Sequence, residues 1–332
     1  MPETGGTLSR RDFLKLAGAA VGSAVLATVF KRDAREPGET LKQNELSIGA
    51  LRVESIQGED GLKRGIRILN QLETALQSTR LDLLITPEYS FSLNQGPEAK
   101  FEPRPLVIQQ NGTEFTVDKL KSSGAAKIIV ENAQSLAKDH KTNLFLSSFY
   151  DPSNPISRTT ALFINSRGEI TGVKRKGLPP DGRFEIQRGG QTLKILPLIC
   201  GEAWEKTEQD SSGGGFKAIP PEWVAKNAPY DILVHSIAQG DLDFDKLAAI
   251  AQKSEIPNDS RLTNNEQWQR DTFHSYYDEY LHFLRPNAPM LISDLGMAAC
   301  LNQDLSPISK YYDIDKFVVA KFDVSQQNQP QK

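Results

Sequence analysis

The stretch ILPLICGEAW at 195–204 places a thiol at the end of an apolar run. Cys200 is one of two cysteines in the 332 residues. As a thiolate, a cysteine is a strong nucleophile that can form a covalent acyl intermediate. Free cysteine is also among the residue types most often buried, where it packs as a small hydrophobic side chain. Cys200 is therefore a candidate nucleophile whose role depends on the groups placed around it.

Two charged residues at the ends of other apolar runs could serve such a nucleophile. Glu88 follows LDLLITP at 81–87, and the carboxyl ends of strands in α/β sheets face the ligand crevice. Lys176 ends GEITGVKRK at 168–176, and Lys174 would face the same side of that strand as the alternative lysine. Taken singly, the acid could be a salt-bridged residue at a strand end, and the basic cluster a solvated surface run.

Together, the thiol, the acid and the ammonium group could carry out acyl chemistry. A free thiol has a pKa of about 8.5, so a base or a cation must generate the thiolate at neutral pH. Glu88 could take the thiol proton, deliver it to a leaving amine and then activate the hydrolytic water. Lys176 would stabilise the thiolate and the oxyanion, with the backbone N–H of Gly201 as the second oxyanion donor. Glycine suits that position because it permits a tight turn and a close approach of substrate to the backbone.

Alternating strands and helices would position these residues. Buried strands are predicted from apolar runs at 46–53, 81–87, 143–149 and 160–165. Helices are predicted from apolar residues at helical spacing over 61–79 and 125–137. This alternation predicts an α/β fold of one domain, with sheets covered by helices. The polar region 94–111 is predicted to be an exposed insertion, and SSGGG at 211–215 a flexible loop.

The order of these motifs resembles the nitrilase (carbon–nitrogen hydrolase) superfamily. The resemblance rests on TPEY at 86–89, GEITGVKRK at 168–176 and LICGE at 198–202. It extends over about 46–324, and it includes YDILVHS at 230–236 and the closing stretch FVVAKFDV at 317–324. The resemblance implies an α-β-β-α sandwich in a single domain over 45–325. It also implies a catalytic triad of Glu88, Lys176 and Cys200.

Further site residues follow from the same resemblance. Glu185 is close to the place where the family has a second glutamate that orients the substrate or the lysine, although it could be an exposed hairpin residue. Gly201 and His235 are candidate substrate-binding residues, and the alternative for His235 is a core histidine with satisfied hydrogen bonds. Glu202 is expected to cap or brace the helix that begins after Cys200, because acids are favoured in the first turn of a helix.

The implied activity is hydrolysis of a non-peptide carbon–nitrogen bond through a thioester. A small-molecule amide is the leading substrate and a nitrile the alternative. Two further hypotheses stay open. The same triad could catalyse acyl transfer, or the chain could be a binding protein that kept the fold and lost turnover. The resemblance further implies a homo-oligomer.

The sequence departs from the family pattern near the lysine. The position where the family usually has a tyrosine before the lysine is Lys174 here, and the family's K-x-H-L-P segment is shortened to KGLP at 176–179.

The N-terminus predicts export. SRRDFLK at 9–15 precedes the uncharged run LAGAAVGSAVLATVF at 16–30, which is typical of a twin-arginine signal within 1–35. The run is shorter than the roughly 20 residues that a membrane-crossing helix needs. We expect the twin-arginine translocation machinery as a partner and a periplasmic or other extracytoplasmic location. No A-x-A cleavage site follows, so retention at the membrane by an uncleaved signal stays open.

Composition limits the other classes of function. With 38% hydrophobic and 24% charged residues, the chain has a globular composition. The formal net charge of −3 offers no basic footprint for nucleic acid, so no such partner is expected. No CxxC motif or Cys/His cluster with zinc spacing occurs, and we expect neither a metal nor an organic cofactor. Cys300, in GMAACL, is predicted to be a buried structural thiol.

Overall fold

The computed structural model describes residues 44–324 apart from 54–58, 92–105, 111–119, 123, 153–158, 204–218, 238–276, 278–279, 295–297, 304–311 and 315–316. The strands are β1 (Glu45–Leu51), β2 (Leu83–Ile85), β3 (Ile108–Gln110), β4 (Leu120–Ser122), β5 (Asn143–Tyr150), β6 (Thr159–Ile164), β7 (Ile170–Arg175), β8 (Asp181–Gly182), β9 (Glu185–Arg188), β10 (Gln191–Ile199), β11 (Ile232–Ser236), β12 (Met290–Ser293), β13 (Ala298–Leu301), β14 (Tyr312–Ile314) and β15 (Phe317–Asp323). The helices are α1 (Gly61–Ser78), α2 (Gly124–His140) and α3 (Pro221–Asn227), and a 3₁₀ turn spans Cys200–Ala203.

Two sheets form the centre of the protein. The larger has the strand order β14-β15-β1-β2-β5-β6-β7-β8, and the smaller has the order β13-β12-β11-β10-β9. The pairs β1–β2, β2–β5, β10–β11 and β11–β12 are parallel. Parallel neighbours place their carboxyl ends at the same edge of a sheet, and ligands of α/β folds bind outside that edge. The residues that follow β2, β10 and β11 therefore lie at the edges where a ligand would bind.

Apolar side chains from both sheets fill the space between them. These inward-facing residues are buried from solvent and include Leu46, Ile48, Leu83, Ile85, Phe145, Phe163, Phe184, Ile195, Ile199, Ile232, Val234, Leu291, Cys300 and Val318. Cys300 is fully buried, as the sequence predicted, and burial raises the pKa of its thiol to about 12. This thiol therefore stays protonated and packs as a hydrophobic group.

Helices cover the outer faces of the two sheets. Helix α1 packs on α2, which packs on β5 and β6 of the larger sheet. Asp60 caps α1, because its side chain accepts a hydrogen bond from the backbone N–H of Lys63 at 3.0 Å. On the smaller sheet, Val224 of α3 joins a buried cluster with Tyr277, Tyr280 and residues of β10–β13. The predicted α-β-β-α sandwich is confirmed.

The predicted elements agree with the described ones to within a few residues, except near 94–111. The sequence predicted an exposed insertion there, but Leu106 and Ile108 are fully buried. The strand β3 pairs with β4, and the backbone N–H of Tyr150 donates to the carbonyl of Leu106 at 3.0 Å. The carboxyl end of this segment is thus part of the packed structure. Residues 92–105 and the 211–215 loop lie outside the described residues.

Gly168 offers a test of this packing. It has a φ of +80°, and a Cβ placed on it would lie 2.5 Å from the backbone oxygen of Gln134 in α2. We expect Gly168→Ala to lower the free energy of unfolding by about 2–4 kcal/mol, through left-handed backbone strain and overpacking. Gly190 has a φ of +78°, and a Cβ placed on it would have no atom within 4 Å. Gly190→Ala should therefore lower the free energy of unfolding only through backbone strain, by about 1 kcal/mol. Urea denaturation followed by circular dichroism measures both, and equal losses would contradict the predicted packing.

Candidate active site

Cys200 lies on a sharp turn at the edge where the parallel strands end. The last five residues of β10 are buried and anchor the turn. Cys200 itself is partly exposed, and its φ is +47°. Non-glycine residues seldom adopt that left-handed conformation, which costs of order 1–3 kcal/mol and often marks a functional site. The strand is thus a rigid support that presents the thiol at the sheet edge.

Glu88 reaches the same edge from the other sheet. It follows β2 and is fully buried. Its backbone N–H donates to the carbonyl of Ile237 at 3.1 Å, just beyond β11. The hydroxyl of Ser236 donates to the carbonyl of Thr86 at 2.6 Å. These hydrogen bonds join the two sheets where β2 and β11 end, and they hold Glu88 beside the turn of Cys200.

Lys176, which follows β7, is the lysine that contacts Glu88. Its Nζ lies 2.9 Å from Oε1 of Glu88, and the two side chains are 1% and 0% exposed. Burial raises the pKa of Glu88, and the lysine charge only partly opposes this. Burial alone would lower the pKa of Lys176, but the negative charges of Glu88 and Cys200 outweigh it and raise that pKa. The site therefore contains an ammonium group beside a carboxyl group with increased affinity for a proton.

The thiol of Cys200 completes this group. A hydrogen bond between Cys200 and the carboxyl of Glu88 lowers the pKa of the acid, against the larger effect of burial. Oε2 of Glu88 is buried, and no donor among the described residues meets both the distance and the angle of a hydrogen bond to it. Oε1 accepts a hydrogen bond from Lys176. The structure thus brings Glu88, Lys176 and Cys200 together, with the lysine on only one of the two carboxylate oxygens of Glu88.

Lys174 has a different partner. Its Nζ forms a buried ion pair with Glu202 and donates to the carbonyls of Arg175 and Leu178, each at 2.8 Å. Burial lowers its pKa, although the charge of Glu202 opposes this. The sequence offered Lys176 and Lys174 as alternatives for the lysine of the site, and Lys176 is the one that contacts Glu88. Lys174 stabilises the turn that carries Lys176.

Glu202 connects the two segments that carry the lysine and the thiol. One oxygen accepts a hydrogen bond from the backbone N–H of Gly177 at 2.6 Å, and the other from Ile199 at 2.8 Å. Gly177 follows Lys176, and Ile199 precedes Cys200. The hydroxyl of Tyr280 donates to the backbone carbonyl of Glu202 at 2.7 Å. Glu202 has the bracing role that was predicted, but it braces a 3₁₀ turn at Cys200–Ala203 rather than a longer helix, and it also holds the turn of Lys176.

The structure does not bring Glu185 to this site. Glu185 opens β9 and pairs with Lys194, six positions before Cys200 on β10. At about 3.3 Å per residue, that separates them by roughly 20 Å. Glu185 instead lines a separate cavity of about 470 Å³ together with Asn143, Asn165, Ser166, Arg167, Thr171, Arg183 and Gln187. The expectation that it orients the substrate or the lysine does not fit this position.

His235 is in the site, but behind Cys200 rather than in front of it. It is fully buried, and its Nε2 lies 2.8 Å from the backbone oxygen of Cys200. Its Nδ1 contacts the hydroxyl of Tyr277. Burial lowers the pKa of His235 to about 3, so the ring is neutral at physiological pH. The substrate-binding role predicted for His235 does not fit this position, whereas the alternative of a core histidine with satisfied hydrogen bonds does.

Gly201, the predicted oxyanion donor, follows Cys200 in the same turn.

Tyr89 is a site residue that the sequence analysis did not single out. Its φ is +59°, and its backbone N–H donates to the hydroxyl of Ser148 at 3.3 Å. Burial raises the pKa of its phenol, and the nearby charges of Glu88 and Cys200 raise it further. The phenol therefore stays protonated and can donate a hydrogen bond beside the thiol. Its position directly after Glu88 in TPEY was the available signal.

The remaining predictions concern membranes, metals and the N-terminus. Among the described helices, none is long and apolar enough to cross a membrane. Within the described ranges, no three His, Cys, Asp or Glu side chains are grouped so that they could hold a metal ion. The predicted export signal in 1–35 lies outside the described residues.

Comparisons with known proteins agree with this fold. No protein-family model and no curated protein matches the sequence. A carbon–nitrogen hydrolase from Helicobacter pylori G27 is 15% identical, with a TM-score of 0.52 over 86% of this chain and 91% of that one. Nit3 of Saccharomyces cerevisiae, a member of branch 10 of the nitrilase superfamily, is 11% identical, with a TM-score of 0.51 over 86% and 92%. A mutant of the Nesterenkonia AN1 amidase from the same superfamily is 11% identical, with a TM-score of 0.50 over 87% and 95%. The chain thus has the fold of the nitrilase superfamily, and Glu88, Lys176 and Cys200 meet at one edge of it.

Proposed function

We propose that the protein is a hydrolase of non-peptide carbon–nitrogen bonds, most simply an amidase, that acts through a thioester on Cys200. One observation carries the proposal. A buried carboxyl group, Glu88, contacts both the ammonium of Lys176 and the thiol of Cys200 at the ligand-binding edge of a nitrilase fold. A base, a cation and a thiol in contact are the groups that nucleophilic acyl chemistry requires.

In the first half of the reaction, Glu88 takes the thiol proton and the Cys200 sulfur attacks the amide carbon. Burial raises the pKa of Glu88, which makes its carboxylate a stronger base than an exposed glutamate. Lys176 and the backbone N–H of Gly201 stabilise the negative charge that develops on the carbonyl oxygen. Glu88 returns its proton to the leaving nitrogen, the carbon–nitrogen bond breaks, and ammonia or an amine departs from the thioester.

In the second half, water replaces the leaving group. Glu88, again a carboxylate, takes a proton from water, and the hydroxide attacks the thioester carbon. The carbon–sulfur bond breaks, Cys200 regains a proton from Glu88, and a carboxylic acid leaves. The same groups could add Cys200 to a nitrile carbon, or could pass the acyl group to an amine in place of water.

The proposal includes the setting of this chemistry. The hydrolase domain spans 45–325, and 1–35 form a twin-arginine signal that directs the protein to the periplasm or another extracytoplasmic space, with membrane retention if the signal is not cleaved. The partners are a small-molecule amide or nitrile, the translocation machinery during export, and further copies of the chain in a homo-oligomer. The motif SRRDFLK at 9–15 supports the export signal, and the fold similarity supports the hydrolase domain.

Mass spectrometry of the purified protein with a panel of small amides and nitriles tests the function. In the wild type we expect an acyl adduct on Cys200 whose mass reports the substrate. Cys200→Ala should form none. Glu88→Gln should lose turnover by at least about 10²-fold, the usual contribution of a general base.

Iodoacetamide provides the control. Cys300 is buried and protonated, so Cys300→Ala should leave labelling unchanged while Cys200→Ala removes it. If neither the panel nor iodoacetamide modifies Cys200 in the folded wild type, the enzyme proposal is wrong and a binding role on the same fold replaces it. An adduct released only by added amines would make the protein an acyltransferase.

A further inference from the structure

His235 uses both of its ring nitrogens, and their partners determine where its proton lies. The backbone oxygen of Cys200 can only accept a hydrogen bond, so Nε2 at 2.8 Å must carry the proton. Nδ1 is then the acceptor, and the hydroxyl of Tyr277 donates to it. Burial holds the imidazole in its neutral form, with a pKa of about 3. Tyr277 thus selects the tautomer in which His235 donates to Cys200.

The hydrogen bond from His235 orients a peptide group that the proposed reaction uses. The carbonyl of Cys200 and the N–H of Gly201 belong to one peptide plane, and this peptide bond is trans. In a trans peptide the C=O and N–H bonds point in opposite directions. With the oxygen held against His235 in the core, the N–H of Gly201 points away from His235.

This peptide needs such a constraint. Cys200 is held at a φ of +47°, a conformation that non-glycine residues seldom adopt, and the next residue is a glycine with wide conformational freedom. Gly201 therefore adds little steric resistance of its own to a rotation of this peptide. The hydrogen bond from a buried donor opposes this rotation, because a flipped peptide would leave the ring N–H of His235 unpaired in the core. A hydrogen bond to the carbonyl also polarises the amide and strengthens its N–H as a donor.

We propose that His235, fixed by Tyr277, is a positioning residue for the oxyanion hole. It holds the Cys200–Gly201 peptide so that the N–H of Gly201 faces the carbonyl oxygen that becomes negative during attack by Cys200. The inference rests on the proposed function, because an oxyanion forms only if Cys200 attacks an acyl group. It gives His235 a role in catalysis without contact with the substrate.

Two reactions of the same thiol test this role. Acylation by p-nitrophenyl acetate passes through a tetrahedral oxyanion and releases a coloured phenolate, whereas alkylation by iodoacetamide displaces iodide at a saturated carbon and needs no oxyanion donor. For His235→Leu we expect the acylation rate to fall by about 10²- to 10³-fold, the usual effect of losing one oxyanion donor. The alkylation rate should stay within about threefold of the wild type, since the thiol, Glu88 and Lys176 are unchanged.

Two further variants keep the test decisive. His235→Gln restores a side-chain donor and should recover part of the acylation rate. Tyr277→Phe removes the hydroxyl that fixes the tautomer, and it should also slow acylation more than alkylation, even if His235→Leu fails to fold. A wild-type acylation rate in folded His235→Leu, or an equal loss of both reactions in every variant, would overturn the role of His235. A wild type that iodoacetamide labels but p-nitrophenyl acetate does not would instead refute the proposed function, and with it this inference.

Discussion

Lys176→Met is expected to lower the rate of Cys200 acylation by about 10³-fold. The ammonium of Lys176 is the cation beside Glu88 and Cys200, so its removal takes away a charge that stabilises both the thiolate and the oxyanion. It also leaves Glu88 buried without a counter-charge. Because burial already raises the pKa of this acid, Glu88 should then bind a proton and cease to act as a base. One substitution thus removes an oxyanion donor and disables the base.

Lys174→Met is the matched control, since both lysines are buried and each contacts one glutamate. Lys174 contacts Glu202 rather than Glu88, so we expect at most about a tenfold loss of acylation once folding is confirmed by circular dichroism. Stopped-flow measurement with p-nitrophenyl acetate gives both rates. Equal losses in the two folded variants would contradict the assignment of Lys176, and a larger loss in Lys174→Met would identify Lys174 as the catalytic lysine.

Glu202→Gln is expected to lower the free energy of unfolding by about 3–5 kcal/mol, the usual cost of removing one partner of a buried ion pair. The Glu202 carboxylate accepts from Lys174 and from the backbone N–H groups of Gly177 and Ile199. An amide offers only one accepting atom, so its NH₂ group must face one of these donors, and Lys174 loses its counter-charge. Because Gly177 and Ile199 adjoin the lysine and the thiol, acylation should slow as well.

A double-mutant cycle separates the ion pair from the other contacts. Glu202→Gln combined with Lys174→Met removes both charges, so it should be less destabilising than the sum of the two single changes. Glu131→Gln is the surface control, because Glu131 pairs with Lys127 at 3.7 Å on an exposed helix face and should cost only about 0.3–0.5 kcal/mol. Urea denaturation measures all four variants. Strict additivity, or a Glu202→Gln loss no larger than that of Glu131→Gln, would contradict the bracing role.

Much of the fold could be predicted from the sequence because the apolar patterns are local. The helix predicted over 61–79 forms at Gly61–Ser78, and the strand predicted at 143–149 forms at Asn143–Tyr150. Periodic apolar residues report which face of an element is buried, and this requires no knowledge of its neighbours. At the described end of the region 94–111, residues 106–110, the prediction of an exposed insertion was wrong because the polar composition hides Leu106 and Ile108, whose burial depends on partners elsewhere in the chain.

The sequence by itself determined which groups could react: a thiol, an acid and a lysine, each just after an apolar run. Only the tertiary structure decided which of them meet. Lys176 contacts Glu88 across 88 positions. Glu185, on β9, pairs with Lys194, six positions before Cys200, and His235 lies behind the Cys200 peptide rather than in a pocket. Such contacts depend on strand order and register, which are set by pairing between segments distant in the chain. A local pattern cannot report that pairing, so it places a residue at the end of a strand but not beside its partner.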